Sequence, residues 1–158
     1  MICFDTNIII HASQEQASPG QEYKSSRAKA YLARLGEAGE KLMLPAPALA
    51  EYLVGIPAEF HEAVRLSLEA QFLLAPLDAE AAQVAARLLQ AADIKRARSQ
   101  HNHDRPSVRV DALILGIAIA RGASRVVTYD LKHFRQLARG EIEVIEVPEI
   151  HGRPVLFE

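Results

Sequence analysis

Short apolar runs rich in β-branched and aliphatic residues alternate along this chain with longer stretches whose apolar positions recur every three or four residues. That alternation predicts strands separated by helices. Met1-Ile2-Cys3-Phe4 predicts a buried strand, and a helix begins near Asn7 with Ile8-Ile9-Ile10. From His11 to Ser25 the chain is rich in Gln, Glu and Ser around a Ser-Pro-Gly, which predicts a helix end and then a loop. Arg27–Leu35 places Ala28, Tyr31, Leu32 and Leu35 on one helical face, and Gly36 and Gly39 end it. Leu42-Met43-Leu44 is the second predicted strand. Pro47 opens a helix over Ala48–Gly55, and Pro57 opens another over Ala58–Glu69. Phe72–Ala75 is the third predicted strand, followed by an Asp78-capped helix over Ala79–Ala92. Asp111 then opens an apolar helix, Ala112–Arg121. Arg125–Tyr129, a helix around Leu131–Leu137 and a fifth strand, Glu143–Val147, complete the pattern.

Five strands alternating with helices predict an α/β fold, a mainly parallel sheet with both faces covered. No repeat or linker divides the 158 residues, so one domain is expected: a core over about 1–147 and a tail over 148–158. No apolar run approaches the ~18 residues of a membrane span, and no secretory n-region precedes the first apolar run. With Cys3 as the single cysteine, the expectation is a cytoplasmic protein without disulfides. A net charge of −2 carries no global signal for nucleic acid.

The candidate chemistry is acidic. Asp5 is the one carboxylate between Met1 and Gln14, Glu51 the one between Leu42 and Ala58, and Asp111 the one between Val110 and Ala120. Asp130 directly follows the Arg125–Tyr129 strand. Asp5, Asp111 and Asp130 each suit a helix N-cap, and Glu51 suits a solvated helix face. Taken together, isolated acids in apolar surroundings are costly unless compensated, and converging acids repel unless a cation lies between them. Asp5 and Asp130 fall at strand ends, where α/β sheets collect ligands. Asp111 and Glu51 are expected at or near helix N-termini, whose dipole favours the ionised form. Oxygen donors of this kind suit Mg²⁺ or Mn²⁺ rather than structural zinc.

Four pieces in order carry a family resemblance: Phe4-Asp5-Thr6-Asn7, Ala50-Glu51, Val110-Asp111-Ala112-Leu113-Ile114, and Val127-Thr128-Tyr129-Asp130 with Phe134 following. The chain resembles the PIN-domain metal-dependent ribonucleases, in particular the VapC-type toxins of toxin–antitoxin modules. The resemblance implies a Rossmann-like three-layer α/β/α sandwich whose acidic cluster binds divalent metal and cleaves RNA. Asp5, Glu51, Asp111 and Asp130 would surround the metal, with Thr6, Asn7 and Thr128 as supporting groups. It also implies a homodimer and an antitoxin partner. The Arg27–Leu35 helix and Val155-Leu156-Phe157 either pack onto the core or form a partner surface.

Two departures stand out. His133 occupies a position where family members often carry a further acid, and the basic Ile94–Arg109 segment is longer than a minimal member requires. Within that segment Lys95, Arg96, Arg98 and Arg105 are candidate RNA phosphate contacts, the alternative being a solvated loop. A non-catalytic RNA-binding or scaffolding module, or an RNA-processing nuclease that is not a toxin, would share the same residues. An aspartate-nucleophile phosphatase would require a second acid where Asn7 stands.

Overall fold

The computed structural model describes residues 1–14, 19–97 and 105–149. Five strands form one sheet: β1 (Ile2–Phe4), β2 (Leu42–Pro45), β3 (Leu73–Ala75), β4 (Arg125–Val127) and β5 (Glu143–Ile145). Their order is β3-β2-β1-β4-β5, and every pairing is parallel, with Cys3 opposite Met43 on one side and Val126 on the other. Consecutive strand residues point to opposite faces. Cys3 and Phe4, Met43 and Leu44, and Val126 and Val127 are all fully buried, so the central strands are covered on both faces. This is the expected three-layer α/β arrangement.

The covering helices are α1 (Thr6–Ser13), α2 (Glu22–Glu37), α3 (Ala46–Val54), α4 (His61–Glu69), α5 (Ala79–Ala97), α6 (Arg105–Ala120) and α7 (Leu131–Ala138). A 3₁₀ turn, Ala58–Phe60, precedes α4, where the sequence pattern predicts one continuous helix. Pro57 sets up that turn, and Phe60 lies 55% exposed while Val64 and Leu68 turn inward. Helix α2 begins at Glu22, earlier than expected and without a side-chain cap, because Ser25 and Ala28 are already buried against the core. Asp78 caps α5 as expected, accepting from Ala81 N at 2.9 Å.

The largest difference from expectation concerns Asp111. It does not open a helix: α6 starts at Arg105, with Pro106 in its first turn, where a missing N–H costs nothing. The helix continues upstream of Asp111 because Val108 is buried in the same way as Ala112 and Leu115. Asp111 therefore ends the second turn of α6, and Glu51 likewise stands in the second turn of α3. Neither has the helix-terminal dipole expected for it: Glu51 is exposed to solvent, and the Asp111 side chain, 15% exposed, meets His133.

Helices α5 and α6 pack at very close range. A Cβ on Gly116 would lie 2.5 Å from Ala81 O and 2.9 Å from Ala85 Cβ. Small residues at this crossing bring the α6 backbone against α5 and so set where Asp111 stands. Much of the predicted Ile94–Arg109 segment belongs to these helices: Lys95 and Arg96 fall in the last turn of α5 and Arg105 begins α6. Arg98 and the tail residues Val155, Leu156 and Phe157 lie outside the described residues. Among the described residues no helix is long and apolar enough to cross a membrane.

Candidate active site

The sheet order places the topological switch point between β1 and β4, whose carboxyl ends are adjacent. Connections from β1 lead to one side of the sheet and those into β4 serve the other, leaving a crevice between them. Asp5 follows β1, and Thr128-Tyr129-Asp130 follow β4. The pairing runs one residue beyond each strand, since Asp5 N donates to Val127 O at 3.1 Å and Thr128 N donates to Ile145 O at 3.0 Å. The fourth strand ends at Val127 rather than Tyr129. Thr128 then takes its side chain into the crevice while remaining fully buried.

Asp5 is 5% exposed and caps α1: one carboxylate oxygen accepts from Thr6 N at 2.7 Å. Its other oxygen accepts from Thr128 Oγ1, also at 2.7 Å. Capping and site formation thus coincide in one carboxylate. Burial pushes the Asp5 carboxyl up to about 7 from its ordinary 3.8; the charges of Asp111 and Glu51 push the same way, against the hydrogen bonds from Thr128 and Thr6. Asp111 and Glu51 therefore lie within electrostatic reach of Asp5, although each is carried on a helix from a different part of the chain.

Each of these two acids has its own donor. Thr6 Oγ1 donates to Glu51 Oε2 at 2.6 Å, joining α1 to α3. His133 Nδ1 lies 2.8 Å from Asp111 Oδ2, joining α7 to α6, and 3.8 Å from Asp130 Oδ2. Asp130 caps α7, accepting weakly from His133 N at 3.4 Å, and its side chain is 57% exposed. It stands at the rim, whereas Asp5 lies at the floor.

The Asn7 side chain bonds to the loop after β4. Its Nδ2 donates to Thr128 Oγ1 at 3.2 Å, and its Oδ1 accepts from Tyr129 N at 3.1 Å. It braces the loop after β4, and through Thr128 it reaches Asp5 indirectly. Tyr129 anchors the same loop by donating to Lys24 O at 2.8 Å and stacking edge-on with His11, 5.2 Å between centroids.

The sequence pattern did not disclose the His133–Asp111 contact. The one available signal was the three-residue spacing from Asp130 on a helix start, which puts the two side chains on one face. The donors present, the carboxylates of Asp5, Glu51 and Asp111, each held by at least one neighbour, are hard oxygen ligands of the class that suits Mg²⁺ or Mn²⁺. Among the described residues, no three Asp, Glu, His or Cys side chains already form a group that could hold a metal ion.

The PIN domain family profile matches residues 2–140 of the chain. Comparison with curated protein sequences returns no match. Among solved structures the chain is similar to VapBC2 from Rickettsia felis bound to a DNA fragment from its promoter, at 17% identity and a TM-score of 0.64, covering 92% of this chain and 98% of that one. It is also similar to DNA-bound VapBC from Salmonella typhimurium, at 19% identity and a TM-score of 0.63, covering 93% and 98%. For FitAcB from Neisseria gonorrhoeae the values are 20%, 0.60, 91% and 96%. Identities this low speak for the fold. The profile match takes in the β1–β4 crevice and the helices carrying Glu51 and Asp111, and on it the chain belongs to the PIN domain family.

Proposed function

We propose that the protein is a divalent-metal-dependent endoribonuclease and the toxin of a type II toxin–antitoxin module. The observation that carries this reading is the buried Asp5 carboxylate at the β1–β4 switch point, held by Thr128 and within electrostatic reach of Asp111 and Glu51. A buried acid beside two others is unfavourable in isolation and suited to a cation. Asp5, Glu51 and Asp111 would hold Mg²⁺ or Mn²⁺, with Asp130 completing the site from the rim. The bound metal would supply Lewis-acid polarisation of the phosphoryl oxygen and an activated water.

The chain's own groups orient that centre. Thr128 and the Thr6 N–H fix both oxygens of Asp5, leaving their remaining lone pairs for a ligand. Thr6 directs Glu51 through its Oε2 oxygen. The 57% exposed Asp130 side chain opens the rim to solvent, as a polymeric substrate requires.

Partners follow from the same reading. Similarity to the VapBC and FitAcB structures supports an antitoxin. The Arg27–Leu35 stretch contributes Leu32 to an apolar cleft of about 230 Å³ that Ile9, Tyr52, Val64, Leu68 and Phe72 also line, a surface suited to a protein partner. We assign the chain to a single domain, a homodimer and a cytoplasmic setting on the same grounds. Incubation of RNA with Mg²⁺ or Mn²⁺, with and without chelator, tests the activity. Cleavage should require metal and vanish in folded Asp5→Ala protein; undiminished cleavage by that variant would refute the assignment.

A further inference from the structure

Three acids of the site sit on three separate elements, and each has one oxygen engaged by a side chain from another element. Thr128 engages Asp5, Thr6 engages Glu51, and His133 engages Asp111. We propose that His133 is a positioning residue for metal binding: its Nδ1–H holds Oδ2 of Asp111 and so orients the carboxylate that would take the cation. This rests on the metal-nuclease reading above and adds to it a residue that is not itself an acid.

The geometry supports this at each step. Asp111 stands in the second turn of α6, beyond the first-turn positions where a helix's own N-terminal N–H groups orient a carboxylate. An ionised carboxylate only accepts, so a nitrogen 2.8 Å from its oxygen must carry the hydrogen. Nδ1–H is present in the corresponding neutral tautomer and in the imidazolium alike, so the role does not depend on which form prevails. The ring is also well placed by its own backbone. Phe134, the next residue, is 1% exposed in the core, Leu137 is 3% exposed one turn on, and Asp130 caps the turn that carries His133. The imidazole is thus fixed by α7 before it fixes α6.

The position also bears on what a substitution would do. An acid at 133 would face Asp111 at hydrogen-bond range and Asp130 beside it, adding charge repulsion where the histidine supplies a donor. The histidine converts that corner from a third acid into a support for the one already there.

The test compares Mn²⁺ binding to the full-length wild type, His133→Leu and His133→Asn by calorimetry and by the Mn²⁺-induced rise in Tm. In asparagine the amide nitrogen is bonded like Nδ1 of histidine, so it keeps a neutral donor at that place. His133→Leu should bind Mn²⁺ about 10- to 100-fold more weakly, the usual loss when a ligand's hydrogen-bond partner is removed. Its metal-free Tm should stay close to wild type, and its RNA cleavage should recover as Mn²⁺ is raised. His133→Asn should restore most of the affinity. Should leucine disturb α7, His133→Ala reports the same loss. Equal Mn²⁺ affinity in wild type and the leucine or alanine variant overturns the role of His133 alone, as does loss that asparagine fails to restore. A wild type that binds no Mn²⁺ overturns the metal-site reading and this inference with it.

Discussion

Thr128 Oγ1 donates to Asp5 Oδ2 at 2.7 Å across the seam between β1 and β4, and the same oxygen accepts from Asn7 Nδ2 and Asp130 N. A hydroxyl has one hydrogen and two acceptor lone pairs, so its capacity is full. With both lone pairs engaged, the hydrogen can point only at Asp5. The arrangement favours the carboxylate form against the burial that opposes it, and ties the end of β1 to the start of α7.

Thr128→Val should remove this hub while keeping the side-chain shape. Asn7 and the Asp130 N–H lose their acceptor, and a cost of about 1–3 kcal/mol is expected for buried polar groups left unpaired. The Asp5 carboxyl should move higher still, since the Thr128 hydrogen bond lowers it. Urea unfolding gives the first quantity and carboxyl-carbon NMR titration the second. Thr128→Ser should restore both; a Thr128→Val protein with unchanged Asp5 titration would contradict the hub.

Stability in chelator should depend on pH through Asp5. Its carboxyl stands at about 7 when folded and near 3.8 when unfolded, so between these values the folded state binds more protons. Stability from this group is therefore full below about pH 4, declines as pH rises toward 7, and is constant above. The difference amounts to on the order of a few kcal/mol. Other groups contribute, His11 with the opposite sign because burial lowers it, so the comparison is the pH slope of wild type minus that of Asp5→Asn. Because a cation requires the ionised acid, Mn²⁺ should stabilise more as pH rises through the same window. A slope of the opposite sign would remove the buried, proton-holding Asp5.

Gly116→Ala should be destabilising by about 1–3 kcal/mol or more, because the new methyl meets the Ala81 carbonyl at 2.5 Å, and backbone does not yield cheaply. Gly36→Ala in α2 meets nothing within 4 Å and should stabilise by roughly 0.5–1 kcal/mol through helix propensity. Thermal melts of the pair separate close helix packing from the general effect of replacing glycine. If Gly116→Ala melts like wild type, the α5–α6 crossing is not what locates Asp111.

Neutralising Lys95, Arg96, Arg98 and Arg105 together tests whether the basic segment holds RNA. Binding of a single-stranded RNA by catalytically inactive Asp5→Ala protein should weaken, and the slope of log K against log salt should flatten by about 0.7 for each phosphate no longer neutralised. An unchanged slope assigns those charges to solvent.

The buried setting of Asp5 and the parallel α/β fold were legible in the residues alone. Alternating apolar runs state where strands and helices lie, since burial on both sheet faces demands unbroken apolar strands such as Met43-Leu44 and Val126-Val127. Isolation in an apolar stretch marked Asp5, which is buried, whereas Glu51 is exposed on α3, as a solvated helix face would be. The pattern erred where local signals competed: Asp111 looked like a helix opener, but Pro106 and buried Val108 carried the helix back to Arg105. Only the tertiary structure decided which donor meets which acid. Thr128 and Asp5 are 123 residues apart and Thr6 and Glu51 are 45 apart. His133 and Asp111 meet because α7 is anchored by Phe134 beside α6. Side-chain hydrogen bonds act over about 3 Å, and separation along the chain says nothing about such a distance until the sheet order brings the ends of β1 and β4 together.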